Sequence, residues 1–148
     1  MKNRIEIADS QFDNGLNCAQ SVVTSFCEEL GIDKEMALRL SCGFGGGMGR
    51  KEEVCGAVTG GILIIGAKYG KDSPCDKENV EITYSKIREL MDFFAEKHGT
   101  YFCRKLIKEC DLTTEEGQNK YRELDIKNKV CKQCVFSVIE KLEEIIEI

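Results

Sequence analysis

The chain has 148 residues, with 21 basic and 26 acidic side chains and a net charge of −5. This balance argues against nucleic-acid binding, which needs a concentrated basic surface. The N-terminus lacks the apolar segment of a secretory signal, and the longest apolar stretch, GAVTGGILIIGA, is too short to cross a bilayer. We therefore expect one domain over residues 1–148, located in the cytoplasm, with neither nucleic acid nor membrane as a partner.

The N-terminal half begins with helical periodicity. Apolar residues at helical spacing predict a first helix over Leu16–Leu30, which Gly31 ends in the left-handed conformation. Asp33 is a suitable N-cap for a short helix that follows. Cys27 and Cys42 fall on the apolar stripes of these two helices, so we expect both in the core.

The segment Glu53–Tyr69 contains the run ILII, which alone would suit a buried strand. The run is longer than most strands, and glycine and alanine residues spaced along it would let a helix approach its neighbours closely. The segment is therefore predicted to be a buried central helix.

The C-terminal half is predicted as three helices and a polar connection. The helices cover Val80–Lys97, Tyr101–Cys110 and the chain from about Val130 onward, and Thr113 or Thr114 is expected to cap a weak helical turn between the last two. His98 ends one helix, where the helix dipole would favour its charged form. The sequence thus predicts an all-α, single-domain bundle with a glycine-rich loop leading into a buried central helix.

The glycine-rich loop, GFGGGMGRKEEVCG, matches neither the P-loop nor the dinucleotide fingerprint, because the required lysine or third glycine is absent. One interpretation is a tight turn between helices. Another is close approach of backbone amides to cysteine sulfurs, or an anion-binding nest completed by Arg50. The candidate loop residues are Gly45, Gly46, Gly47, Gly49 and Arg50.

Nine cysteines form the most informative feature of the composition. An odd number in a reducing compartment disfavours a full set of structural disulfides, which leaves metal ligands, redox thiols and core packing. Cys55 is expected at a helix start, where a thiolate is stabilised. The spacing of Cys131 and Cys134 suits either a redox disulfide or two ligands of one metal. Val135 follows this pair where a histidine would be required, so c-type haem is excluded.

The ordered motifs NCAQSV, GFGGGMGR, VCGAVTGG and CRKL, followed by an acidic turn and a final cysteine, resemble the redox-active protein family labelled C_GCAxxG_C_C. The resemblance covers nearly the whole chain. It implies that the family cysteines are Cys18, Cys55, Cys103 and Cys131. A similar domain is associated with split-Soret cytochromes, which combine haem with an iron–sulfur cluster, and this chain lacks the haem motif.

Two classes of function follow. In the first, Cys18, Cys55, Cys103 and Cys131 converge and either ligate an iron–sulfur cluster or another metal for electron transfer, or exchange as thiols, with Cys55, Cys131 and Cys134 as the redox candidates. An unidentified redox partner is then required, and whether the protein is an enzyme stays open. In the second, the chain is a non-catalytic binding module whose cysteines pack the core, and the glycine loop and central helix form a homo-oligomer interface.

Overall fold

The computed structural model describes residues 3–147, and it is all-α over that range. The helices are α1 (Arg4–Asp13), α2 (Cys18–Thr24), α3 (Cys27–Leu30), α4 (Lys34–Cys42), α5 (Gly56–Tyr69), α6 (Lys77–His98), α7 (Cys103–Leu106), α8 (Glu115–Glu123) and α9 (Lys132–Ile145). A π-helical turn, Lys127–Cys131, leads directly into α9. Within residues 3–147, none of these helices combines the length and the apolar character that crossing a membrane would require.

Helix α5 lies at the centre of the bundle and packs against α2, α6 and α9. Its glycines allow this close approach, since a Cβ atom on Gly60 would lie 2.8 Å from the backbone oxygen of Ala19 in α2. On another side of α5, a Cβ on Gly61 would lie 2.7 Å from Leu90 of α6 and 2.9 Å from Val138 of α9. The predicted central helix is therefore confirmed, and glycine is what lets three helices surround it.

The predicted apolar faces of α6 and α9 are also confirmed. Leu90 and Phe94 of α6 are fully buried, as are Val138, Ile139 and Leu142 of α9. Burial of such side chains stabilises each by roughly 1.5–3 kcal/mol relative to exposure. These two faces close the core around α5 and fix the start of α9 beside the starts of α2 and α5.

The loop between α4 and α5 runs through consecutive residues with positive φ, from Gly46 to Arg50. Met48 and Arg50 hold φ values of 70° and 65°, a conformation that costs a non-glycine residue roughly 1–2 kcal/mol. Hydrogen bonds within the loop hold it there, including Arg50 N–H to Gly45 O at 3.2 Å and Glu52 N–H to Gly46 O at 3.0 Å. The loop is thus a defined left-handed turn.

The predicted helix over Leu16–Leu30 is wrong in one respect, because it is divided into α2 and α3. The hydroxyls of Thr24 and Ser25 donate to the backbone oxygens of Gln20 and Val22, and the local amides form tighter bonds three residues back. Side-chain hydroxyls that compete for backbone acceptors in this way interrupt a helix. The helix predicted over Tyr101–Cys110 is also shorter than expected, because the chain turns left-handed at Lys108 and Glu109.

The structure differs from the sequence-based expectations at four further points. Helix α1 was not predicted, and Thr114 caps a nine-residue helix, α8, rather than a weak turn. Cys27 is buried as expected, but Cys42 is exposed at the end of α4. The expected charge on His98 is wrong, because burial and then the charge of Lys97 lower its pKa.

Candidate thiol site

Five cysteines line one cavity of about 340 Å³ between the loop, the starts of the helices and α8. They are Cys18, Cys55, Cys103, Cys131 and Cys134. Apolar side chains cover much of the remaining wall, among them Phe12, Leu16 and Ile107. The structure therefore brings together thiols that are far apart in the sequence.

Three of these cysteines lie at the starts of helices. Cys18 is the first residue of α2, Cys55 is the N-cap of α5, and Cys103 is the first residue of α7. Cys131 ends the π-helical turn and Cys134 follows in the first turn of α9. The starts of α2, α5, α7 and α9 therefore meet at one cavity. The first three each contribute one cysteine to its wall, and the last contributes two.

Specific backbone contacts hold these starts in place. Asn17 caps α2 with a reciprocal pair of hydrogen bonds to Gln20, and its side-chain amide donates to Cys42 O at 2.9 Å. The Cys55 N–H donates to Tyr101 O at 2.8 Å, and the Cys103 N–H donates to Glu53 O at 2.6 Å. The two chain segments before α5 and α7 are therefore tied together at their cysteines.

Gly47 is the point where the loop meets Cys103. A Cβ atom on Gly47 would lie 2.7 Å from the Cys103 Cβ, and the residue also holds a φ of 66°. Only glycine satisfies both demands without strain. The loop therefore forms one wall of the cavity because this position has no side chain.

The thiols occur in contacting pairs. Cys18 and Cys131 form a side-chain hydrogen bond, and the Tyr121 hydroxyl donates a second one to the Cys131 sulfur at 3.2 Å. These bonds, first from Cys18 and then from Tyr121, lower the pKa of Cys131 despite its burial. The pKa of Cys18 is raised by the same hydrogen bond and by burial. Of this pair, Cys131 therefore loses its proton more readily than Cys18.

Cys55 and Cys134 form the second pair, also through a side-chain hydrogen bond. This bond and burial raise the pKa of Cys134, which keeps its proton. Cys103 lies near both pairs, and burial raises the pKa of its thiol. Since thiolate is the nucleophilic form, the lowered pKa of Cys131 makes this sulfur more reactive than those of Cys18, Cys103 and Cys134.

The predicted site residues are distributed as follows. All of the cysteines predicted as ligands or redox thiols line the cavity, together with Gly46, Gly47 and Arg50. Gly45 instead packs against the Asn17 side chain, and Gly49 lies outside the wall. Among residues 3–147, no group of three or more His, Cys, Asp or Glu side chains is arranged to hold a metal ion. The ligand set therefore stays a prediction.

Three residues of the site were missed by sequence reasoning. Tyr121, Arg122 and Lys127 line the cavity, yet they belong to a polar segment that carried no apolar periodicity. Tyr121 is the only aromatic residue between Phe102 and Phe136, which was the one signal that could have singled it out.

The chemistry available at this site is that of thiols. A thiolate next to a protonated thiol can attack a disulfide and pass the resulting bond to its neighbour. The N–H groups of Gly46 and Gly47, on the cavity wall, have no acceptor within residues 3–147. Amides of this kind are donors for a thiolate or an anion.

Comparison with known proteins agrees with this chemistry. A family model described as "Putative redox-active protein (C_GCAxxG_C_C)" matches residues 16–145. No curated protein and no solved structure gives a significant match to the chain.

Proposed function

The chain belongs to the C_GCAxxG_C_C family of redox-active proteins, and from this premise we propose that it carries out thiol–disulfide exchange through the Cys18–Cys131 pair. The observation that carries this proposal is the placement of both thiols on the wall of one cavity, with the Tyr121 hydroxyl hydrogen-bonded to the Cys131 sulfur at 3.2 Å. Two neighbouring thiols can form a disulfide by exchange with an oxidised partner.

The roles of the two cysteines differ. Cys131 would attack the oxidised partner as the thiolate, with support from the Tyr121 hydroxyl. Cys18 would then resolve the mixed disulfide, because it already contacts the Cys131 sulfur. The cavity side of Cys131 is the approach for the partner, since both residues line it.

The second pair, Cys55 and Cys134, would act as a reserve dithiol. It contacts the same cavity and lies within electrostatic range of Cys131. Cys134 is 1% exposed, so this pair would exchange with Cys131 or Cys18 inside the protein more readily than with a partner in solution. The proposal therefore places electron transfer to the partner at Cys131.

Metal binding by the four family cysteines is the alternative proposal. Thiolates are the donors preferred by iron–sulfur clusters and zinc, and Cys18, Cys55, Cys103 and Cys131 would hold such a group. The sulfurs contact one another in pairs, and no ligand set is arranged among residues 3–147. Metal analysis of the purified protein separates the two proposals.

The test begins with protein purified without oxygen, in a variant in which the exposed Cys42 and Cys75 are serine. Iron, zinc and acid-labile sulfide are measured first. The protein is then equilibrated in buffers of reduced and oxidised dithiothreitol, and disulfides are mapped by mass spectrometry after alkylation of free thiols. We expect reversible formation of the Cys18–Cys131 disulfide.

Controls make the outcomes distinct. Cys131→Ser should abolish the transition, whereas Cys27→Ala, at a buried cysteine outside the cavity, should leave it unchanged. Stoichiometric iron with sulfide would contradict the exchange proposal and support cluster binding. Thiols that stay reduced in every buffer, with no metal present, would leave a non-catalytic binding module as the better description.

A further inference from the structure

The cavity that holds the thiols is charged in a way that differs from the rest of the protein. Its wall includes the cationic side chains of Arg50, Arg122 and Lys127, and none of the Asp or Glu residues in the described part of the chain lines it. The whole sequence carries five more acidic than basic residues. The cavity wall therefore carries three cationic side chains and no carboxylate from the described residues, although the protein as a whole is negatively charged.

Two of these cations lack an acidic partner. In the described part of the chain, the arginines that form ion pairs are Arg4, Arg39 and Arg104. Arg50 is exposed and forms no ion pair with the described carboxylates. Among the residues that the structure describes, the guanidinium of Arg122 hydrogen-bonds only to the neutral side chain of Asn119.

Lys127 is the third cation, and it is partly compensated. Its ammonium lies 3.9 Å from Asp13 and 5.2 Å from the centre of the Phe12 ring. Phe12 is itself part of the cavity wall. The mouth of the cavity thus carries an excess of positive charge.

The size and lining of the cavity limit what can enter it. A volume of about 340 Å³ is at the small end of the range for small-molecule sites. Apolar side chains such as Leu16 and Ile107 surround the inner part, and the N–H groups of Gly46 and Gly47 are without acceptors in residues 3–147. These features fit a short chain with an apolar middle and anionic ends.

We propose that the oxidised partner of the Cys18–Cys131 pair is a low-molecular-weight disulfide that carries carboxylate groups. This inference rests on the thiol-exchange function proposed above. Arg50 and Arg122 would bind the carboxylates at the mouth, which places the disulfide in the apolar part of the cavity beside Cys131. Positive charge at the entrance also speeds the approach of anions, against the repulsion of a net negative protein.

The reaction is balanced in two steps. The Cys131 thiolate attacks one sulfur of the ligand, the ligand disulfide breaks, and one half leaves as a thiolate that takes up a proton. The Cys18 thiol then loses its proton and attacks the Cys131 sulfur, which releases the second half. One ligand disulfide is reduced to two small thiols, while Cys18 and Cys131 are oxidised to one protein disulfide.

The experiment uses three small disulfides of similar length that differ in charge. These are 3,3′-dithiodipropionate, which is anionic, bis(2-hydroxyethyl) disulfide, which is neutral, and cystamine, which is cationic. The rate of Cys18–Cys131 disulfide formation is measured with each at low ionic strength. Each rate is divided by the rate of the same disulfide with a small neutral thiol, which removes differences in intrinsic reactivity.

We expect the normalised rate for the anionic disulfide to exceed that for the neutral one by about tenfold, and the cationic one to be slowest. In the double variant Arg50→Gln/Arg122→Gln, the anionic rate should fall by about tenfold while the neutral rate is unchanged. Arg88→Gln is the matched control, because Arg88 is an exposed arginine of α6 that does not line the cavity.

The possible failures are distinguishable. Equal normalised rates, or a preference for cystamine, would overturn the anionic substrate class and leave thiol exchange intact. The same conclusion would follow if dithiothreitol buffers formed the Cys18–Cys131 disulfide while all three small disulfides failed to do so. If no oxidant at all formed that disulfide, the proposed function itself would fail and this inference with it.

Discussion

The hydroxyl of Tyr121 donates a hydrogen bond to the sulfur of Cys131 at 3.2 Å. The two residues lie in successive elements, with Tyr121 in α8 and Cys131 at the end of the π-helical turn. Burial and the neighbouring Cys131 raise the pKa of Tyr121. The phenol therefore stays protonated and can donate the hydrogen bond. The half-buried phenol therefore favours deprotonation of a thiol that burial alone would keep protonated.

Replacement of Tyr121 by phenylalanine tests this relationship. The change removes a hydrogen-bond donor that favours the thiolate and should raise the pKa of Cys131. Since a smaller fraction of Cys131 would then be thiolate, its alkylation by iodoacetamide near pH 7 should slow several-fold. The measurement is the rate of Cys131 modification against pH, followed by mass spectrometry.

Tyr84→Phe provides the matched control, because Tyr84 is 55% exposed in α6 and does not line the cavity. It should leave the alkylation profile unchanged. An unchanged profile in Tyr121→Phe as well would show that Cys131 does not depend on this hydrogen bond.

Two glycines of α5 are expected to respond to alanine in opposite directions. A Cβ on Gly60 would lie 2.8 Å from the Ala19 backbone oxygen, and backbone cannot move aside as a side-chain end can. Gly60→Ala should therefore destabilise the protein by about 1–3 kcal/mol. Gly66 has no atom within 4 Å of its added Cβ, so Gly66→Ala should stabilise by up to about 1 kcal/mol through helix propensity. Thermal unfolding of both variants checks this contrast.

The glycine-rich loop offers a similar pair. Gly47 and Gly49 hold φ values of 66° and 58°, so alanine is strained at both positions. Only Gly47→Ala also brings a Cβ within 2.7 Å of Cys103 and 2.8 Å of the Glu52 backbone. We expect Gly49→Ala to cost about 1 kcal/mol and Gly47→Ala at least twice as much. Equal losses in urea unfolding would mean that the contact with Cys103 relaxes freely.

His98 should make stability depend on pH. It is half-buried and bonded to Ser137 at 2.9 Å, and its pKa in the folded protein is lowered. The unfolded chain therefore binds a proton more readily, and the free energy of unfolding should fall as the pH drops below about 6.5. His98→Gln should reduce this loss between about pH 6.5 and 5, as measured by urea unfolding at each pH. An identical pH profile in the variant would contradict the expectation.

The sequence was sufficient for the elements with long, regular apolar stripes. The faces of α6 and α9 could be predicted because Leu90, Phe94 and Val138 repeat at helical spacing. The break between α2 and α3 could not, because it depends on where the hydroxyls of Thr24 and Ser25 find acceptors. Apolar spacing alone does not distinguish a continuous helix from two that share a stripe.

The site was predictable only in part for a similar reason. The cysteines could be proposed from the order of the motifs, but which thiols contact each other depends on how four helix starts meet. Tyr121 and Arg122 escaped notice because a polar segment such as α8 has no periodicity that separates wall residues from surface ones. Their role depends on the packing of α8 over the cavity.

The pairing of Cys18 with Cys131 joins the start of α2 to the turn that leads into the last helix. A covalent bond there would enclose a loop of about 110 residues and restrict the unfolded chain by an amount equivalent to about 4–5 kcal/mol. Oxidation would therefore stabilise the whole fold, and resistance to heat or proteases would report whether the pair is oxidised or reduced. Conversely, a change that destabilises the folded state would make the disulfide easier to reduce. The free energy of unfolding and the redox potential of the pair would therefore be thermodynamically linked.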